Sequence, residues 1–273
     1  MLSIKPNQSP LTRICSLLYK LTDYDRWYRH YRSIELPRLV EAPFNVDNLP
    51  VGYARGLDER AVEYPWLFSR LPDHPGTLLD GGSVLNHDFL VCHPRLAQKK
   101  TTVMTLAPEN VCFWRQGISY VFGDLRDTYF RDNSFDYVVS LSTLEHIGLN
   151  NTLYYTSDGS RNEQDPAAYL SAVTELRRIL KPGGLCFISV PFGRHRVHEW
   201  IQIFDGGMVD SIVEKFQPGF HSVTYFQYRG ASGWQLSTRD LAKDAEYFDP
   251  MRGKRLKGGA LAAEAVACLE LRK

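Results

Sequence analysis

Cysteine is scarce and scattered in this 273-residue chain: five residues, at positions 15, 92, 112, 186 and 268, with no Cys-x-x-Cys spacing among them. That pattern excludes a disulfide framework and the usual structural zinc motifs, and it reads as reduced thiols in a cytoplasmic protein. No charge of one sign is in excess either. The 32 Lys and Arg stand against 31 Asp and Glu, a net charge of +1, so the overall electrostatic footprint of a nucleic-acid binder is missing. No apolar run reaches the roughly 18 residues that a membrane-spanning helix needs, and the first residues lack the basic, apolar, small-residue order of a secretory signal. A Gly-x-Gly-x-x-Gly turn is also absent. What the chain does have is a 44% hydrophobic content over a length that buries a large α/β core without requiring two independent domains.

The first seventy-five residues differ from the rest. Leu11, Ile14, Leu17, Leu18, Leu21, Trp27 and Tyr28 recur among Arg and Lys near the helical period. This predicts one or two amphipathic helices between Leu11 and Arg32 that cover one face of the core. The same basic, aromatic face offers peripheral contact with a membrane surface or a lipid-linked substrate. A proline-containing connector over 42–50 leads to a second helical stretch, Arg55 to Leu71. From Gly76 onward, strand-like and helix-compatible segments alternate. The strands are Thr77 to Asp80, Thr101 to Leu106, Ile118 to Phe122, Phe135 to Leu141 and Leu185 to Val190. Pro182-Gly183-Gly184 stops the helix before the fifth of these, so the last two form a βαβ unit whose strand ends open onto a crevice. Asp205 to Phe216 reads as a helix, and Ser222 to Tyr228 and Ala265 to Leu271 as late strands around a polar, Gly-containing excursion. The fold class is α/β: a doubly wound, mostly parallel sheet over residues 76–273 behind an N-terminal helical cap, residues 1–75.

Leu144-Glu145-His146 and Leu180-Lys181-Pro182-Gly183-Gly184 resemble the motifs of class I S-adenosylmethionine-dependent methyltransferases. The resemblance covers about residues 76 to 228, the C-terminal end more loosely, and none of the first seventy-five. It implies a Rossmann-like sheet of seven strands, closed by a hairpin that contributes one antiparallel strand, with S-adenosyl-L-methionine across the strand ends.

It also implies a set of cofactor-binding residues. Asp80-Gly81-Gly82-Ser83-Val84-Leu85-Asn86 follows the first strand, where glycine lets the backbone approach a ligand. Backbone N–H groups at a helix start near Asn86 and His87 suit the methionine carboxylate. The family pattern is Asp/Glu-x-Gly-x-Gly-x-Gly; this chain keeps Asp80 and Gly82 but carries Val84 and Asn86 at the next glycine positions, resembling a bacterial subset with a Gly-Ser-x-Leu-Asn turn. Thr105 stands where the family places an acid on the ribose hydroxyls. Glu109, one helical turn on, either compensates or is a solvated acid at a helix start. In Gly123-Asp124-Leu125 the Asp124 carboxylate is implied to accept from the adenine amino group and the Leu125 N–H to donate to the ring, although Asp124 and Asp127 equally suit a simple turn. Ser140, late in the fourth strand, completes the set.

Methyl transfer is an in-line displacement, so positioning supplies much of the catalysis and a base is needed only where the acceptor must lose a proton. His146 after the fourth strand, and His195 and His198 after the fifth, are the catalytic candidates, since histidine titrates near neutrality. His146 reads equally as a brace for its loop. His195-x-x-His198-Glu199 lacks the i, i+4 helical spacing of a metal-binding His pair, so no metal is expected. Tyr154, Tyr155 and the polar stretch to Asp165 form a lid or a mobile surface loop. The implied activity is methylation, at oxygen, of a small-molecule, lipid or glycan-like acceptor, with no nucleic-acid partner. Two other readings stay open. The changes at Val84, Asn86 and Thr105 suit a catalytically inactive methyltransferase-like binding module, and the sheet suits a nicotinamide-dependent oxidoreductase, against which stand the missing glycine fingerprint and the lack of a Tyr-x-x-x-Lys pair.

Overall fold

The computed structural model describes residues 23–248 and 262–273. Strands β1 (Gly76–Gly81), β2 (Lys99–Thr105), β3 (Ser119–Phe122), β4 (Phe135–Leu141) and β5 (Leu180–Pro191) pair in parallel, with β1 between β2 and β4. A two-stranded hairpin, β6 (Arg196–Val197) with β7 (Gln202–Ile203), projects after β5. The sheet continues through β8 (Phe220–Tyr228), β9 (Trp234–Ser237) and β10 (Ala265–Arg272), giving the order β3-β2-β1-β4-β5-β10-β8-β9.

This corrects the seven-strand expectation to eight. Beyond the expected hairpin of β8 and β10, β9 adds a strand on the outer edge of β8, from Tyr225 opposite Ser237 to Tyr228 opposite Trp234. The polar excursion after β8 turns back tightly at Gly230–Ser232, where the Arg229 N–H donates to the Gly233 carbonyl at 2.8 Å.

Period-two alternation sorts the strand residues onto two faces. Leu78, Tyr137, Val139, Leu141, Leu185, Phe187, Val266 and Cys268 face one core, and Leu79, Val138, Cys186, Ile188, Val190, Ala267 and Leu269 the other. Helices α1 (Asp23–Glu41) and α2 (Arg60–Arg70) pack on the first face through Leu36, Val40, Trp66 and Leu67. α2 is apolar nearly all round because it is buried nearly all round. Pro65 has no N–H for the Ala61 carbonyl, and the Tyr53 hydroxyl donates to that carbonyl instead, at 3.2 Å. Beyond the strand β1, two single-turn helices follow, α3 (Asp88–Val91) and α4 (Pro94–Ala97). The second face is covered by α5 (Tyr169–Ile179) and α6 (Gly206–Phe216), the latter capped by the Asp205 carboxylate accepting from the Met208 N–H. A short α7 (Arg239–Ala242) follows β9.

Two expectations change. The helix read between Leu11 and Arg32 continues to Glu41, while residues 1–22 lie outside the described residues, and with them most of the face read as membrane-contacting. No helix among the described residues is long and apolar enough to cross a membrane. The helix-compatible stretches 107–117 and 123–134 carry no α-helix, only a 3-10 turn at Trp114–Gln116, and each ends near a residue of positive φ, Gly117 and Asn133.

Candidate active site

The parallel strands place their C-terminal ends on one side of the sheet, and there a cavity of about 320 Å³ opens. The loop after β1 contributes Gly82 and Ser83, the end of β2 Thr105, the loop after it Glu109, and the turn after β3 Asp124 and Leu125. Thr143 and His146 come from the loop after β4, Arg60 and Tyr64 from α2, and Tyr155, Arg161 and Glu163 from the 150–165 insertion.

Asp80 builds the first of these loops from below. It is wholly buried, and its two carboxylate oxygens accept from the Val84 and Leu85 N–H groups at 3.2 and 2.8 Å. Burial lifts its pKa to about 7 against the pull of those two N–H groups. Gly82 has φ +118, and a Cβ there would collide with the Thr143 side chain, so the β1 and β4 loops approach only because the residue is glycine. The helix start expected near Asn86 is the single turn α3, too short to form a dipole-based anion site.

Asn86 does not line the cavity but lies behind its wall. Its amide nitrogen donates to Glu109 Oε2 and to the Val111 carbonyl, both at 3.1 Å, and its oxygen accepts from the Tyr120 hydroxyl at 2.8 Å. The Glu109 carboxylate is thereby fixed at the cavity wall beside Thr105.

Asp124 sits in an ion-pair cluster. Its oxygens accept from Arg126 Nε and NH2, the latter at 2.7 Å, and from Arg161, while both Glu163 oxygens accept from Arg126 at 2.5 and 2.7 Å. Burial acts to raise Asp124, but the two guanidinium groups outweigh it and hold the carboxyl below the usual range. The cluster fastens the 150–165 insertion across the crevice. Gly148, at φ +80 and against the Asp165 carbonyl, lets that insertion start close to the β4 loop.

A second buried cluster underlies the β4 loop. Glu63 of α2 takes Arg60 NH1 on Oε2 at 2.5 Å and the hydroxyls of Ser142 and Ser189 on Oε1, both at 2.6 Å. Arg60 thus reaches the cavity with its charge matched by Glu63, and burial raises nearby Glu145 well above the carboxylate range.

His146 lies between these groups. Its Nδ1 is 2.8 Å from the Trp200 carbonyl, which only accepts, so Nδ1 carries the proton and Nε2 the lone pair. The Tyr155 hydroxyl donates to Nε2 at 3.2 Å, and the Trp200 indole stacks on the ring at 5.1 Å. Burial lowers the imidazole to about 4, so it is neutral at pH 7.

Of the residues expected from sequence, Gly82, Ser83, Thr105, Glu109, Asp124, Leu125 and His146 meet around one cavity. Asp80, Gly81, Asn86 and Ser140 do not line it. Asp80 and Asn86 brace loops, Gly81 packs on Leu125, and Ser140 is wholly buried within β4. His195 and His198 are also elsewhere: His195 donates from Nδ1 to the Ile203 carbonyl at 2.9 Å beside the β6–β7 hairpin, and His198 lines a separate cavity. Arg60 and Tyr64 were missed as site residues, whereas Tyr155, Arg161 and Glu163 fall in the stretch read from sequence as a lid or surface loop, without individual roles. An Arg–Glu pair at i, i+3 in an otherwise apolar helix is a readable sign of a buried charge; Arg161 and Glu163 carry no such sign, because their partners lie 37 residues away.

Residues 89–188 match the family model of a methyltransferase domain. No curated protein matches the chain. Similar solved structures include 1,6-didemethyltoxoflavin-N1-methyltransferase from Burkholderia thailandensis, with 13% identity, TM-score 0.46 and coverage of 99% of this chain and 93% of that one. The N-methyltransferase NodS from Bradyrhizobium japonicum has 14% identity, TM-score 0.44 and coverage of 88% and 96%. A putative sarcosine dimethylglycine methyltransferase from Galdieria sulphuraria has 16% identity and TM-score 0.40, over 58% of this chain and 62% of that one. At such identities these likenesses say nothing of the acceptor. The stretch that matches a methyltransferase domain thus lies on a Rossmann-like α/β sheet.

Proposed function

We propose that the protein is a cytoplasmic S-adenosylmethionine-dependent methyltransferase that methylates a small-molecule, lipid or glycan-like acceptor at oxygen. The observation that carries the reading is the convergence of the β1, β2, β3 and β4 loops on one cavity, the last three of them inside the stretch that matches a methyltransferase domain. The exposed thiols Cys92 and Cys112 suit a reducing compartment.

The residues present fit the donor. Ser83 Oγ is buried with no hydrogen-bond partner, an orphaned hydroxyl in the loop that would hold the methionine end. Glu109, pinned by Asn86, offers the ribose hydroxyls the carboxylate that Thr105 lacks. Asp124 and Leu125 would take the adenine, with the amino group sharing the Asp124 carboxylate with Arg126 and Arg161. Because Asn86 is only 4% exposed and its amide is committed to Glu109, Val111 and Tyr120, its departure from the glycine pattern takes no space in the cavity, which Val84 lines. This favours a working site over an inactive binding module.

S-adenosylmethionine supplies an electrophilic methyl group on a sulfonium. The chain's own contribution is position and a proton acceptor. Trp200 fixes the His146 tautomer, Tyr155 occupies Nε2 until an acceptor hydroxyl displaces or relays through it, and the low pKa keeps the Nε2 lone pair available across the neutral range. Glu63 locks Ser142, and with it the β4 loop that carries His146.

Incubation with methyl-labelled S-adenosylmethionine and a panel of alcohols, glycosides and lipids tests the reading. Label should enter an acceptor hydroxyl, and His146→Gln should slow its entry by about tenfold to a thousandfold, the scale of a lost general base. No labelled product from any acceptor would refute the enzymatic reading.

A further inference from the structure

Among the described residues three guanidinium groups line the donor crevice, and they differ in what holds them. Arg126 and Arg161 are engaged by Asp124 and Glu163 beside the end of β3. Arg60 comes instead from α2, outside the stretch that matches a methyltransferase domain. Its side chain makes one hydrogen bond among the described residues, from NH1 to Glu63 Oε2 at 2.5 Å, so most of its planar fork of donors is left over on a cavity wall. The helix sets where that fork lies. Tyr64, one turn after Arg60 on the same face, donates its hydroxyl to the Val84 carbonyl at 3.0 Å. Val84 adjoins Ser83, so α2 carries Arg60 to the β1 loop, where the Asp80 carboxyl and the His87 ring both feel its charge.

Ser83 points to the same ligand chemistry. It is 8% exposed, its Oγ is buried without a hydrogen-bond partner, and it holds φ +65, a conformation that costs a non-glycine residue free energy. A hydroxyl and a guanidinium beside one loop suit a carboxylate, which accepts from both. The acids around Arg60 leave room for one. Asp58 accepts from Arg32 Nε at 2.9 Å, Glu63 takes Arg60 NH1 and two serine hydroxyls, and burial raises Glu59 and Asp80 to about 7 and Glu145 well above the carboxylate range, toward the neutral form. The single-turn α3 supplies no dipole-based anion site in place of the guanidinium. S-adenosylmethionine carries one anionic group, the carboxylate of its methionine end.

We propose that Arg60, with the Ser83 hydroxyl, holds the α-carboxylate of the methyl donor, so that the N-terminal cap completes the donor site. The inference rests on the methyl-transfer reading of the crevice and adds to it a residue that none of its sequence motifs contains. It also ties the donor to the base, because Glu63 joins Arg60 to Ser142 at the start of the loop that carries His146.

Calorimetric titration of the full chain with two ligands tests it: S-adenosylhomocysteine and its decarboxylated analogue, which keeps the adenosine, the thioether and the amine. The wild type should bind S-adenosylhomocysteine at least about tenfold more tightly than the analogue, the scale of a hydrogen bond to a charged group. The double variant Arg60→Gln/Glu63→Gln removes one charge of each sign and keeps an acceptor for the hydroxyls of Ser142 and Ser189. Its two affinities should come within about threefold of each other, with the analogue bound as by the wild type. Where the double variant fails to fold, Arg60→Lys keeps a cation beside Glu63 without the planar fork and should cut the wild-type preference by about threefold or more. Equal affinity of the wild type for the two ligands, or a preference that survives intact in a folded variant, overturns the assignment of Arg60 and leaves the donor reading standing. A wild type that binds neither ligand refutes the donor reading itself.

Discussion

Replacing His146 with Gln removes one buried titrating ring from between Trp200 and Tyr155, and the effect on stability depends on pH in a calculable way. In the folded protein burial holds the imidazole at about 4, against about 6.5 in an unfolded chain. Between those values the unfolded chain binds a proton that the folded chain does not. Wild-type stability therefore falls as pH drops below about 6.5, and the loss is complete near the folded value of about 4. At about 1.4 kcal/mol per unit, moving from about pH 7.5 to about pH 5 costs the wild type about 2 kcal/mol that His146→Gln does not lose. Asp80 and Glu59, both raised by burial to about 7, respond to pH in the opposite direction, but they are present in both proteins and cancel in the difference. Urea unfolding of both proteins at the two pH values reads the result. The stability gap should move toward the variant by about 2 kcal/mol on acidification. A gap that stays constant would mean that the ring is not held neutral, and the reasoning on the Nε2 lone pair would fail with it.

Other perturbations probe the remaining parts of the site. Glu63→Gln leaves the buried Arg60 guanidinium without its counter-charge and should cost about 3–5 kcal/mol in urea unfolding, whereas Ser142→Ala, which removes one of two hydroxyl donors to the same carboxylate, should cost about 1–2 kcal/mol. Gly82→Ala forces a side chain onto Thr143 at a positive φ and should weaken S-adenosylhomocysteine binding at least about tenfold by calorimetry. Asp124→Ala should weaken the same ligand by about 1–3 kcal/mol, and an unchanged affinity would remove the adenine assignment. Arg161→Ala cuts one tie between the insertion and Asp124, so amide exchange across residues 150–165 should quicken in the unliganded protein, with the other strands unaffected.

The parallel sheet was legible because its strands are short apolar runs whose alternate residues enter two different cores; Phe135–Leu141 begins and ends where the apolar run does. The eighth strand was not, since Trp234–Ser237 has no pattern of its own and becomes a strand only by lying against β8. Asp80 and Asn86 show a different limit. Both were recognisable as site residues by position, yet a carboxylate one step behind a loop and one facing the ligand look alike in sequence, and only the N–H groups of Val84 and Leu85 distinguish them. His146 was legible as a candidate, but its tautomer depends on Trp200, 54 residues away. The β6–β7 hairpin also draws His195 and His198 off the crevice that their position after β5 suggested.

Calorimetric titration of the full chain with S-adenosylhomocysteine tests the central claim most directly. The account predicts one saturable site per chain, with a Kd on the order of micromolar. The absence of any binding heat at high micromolar ligand would contradict it.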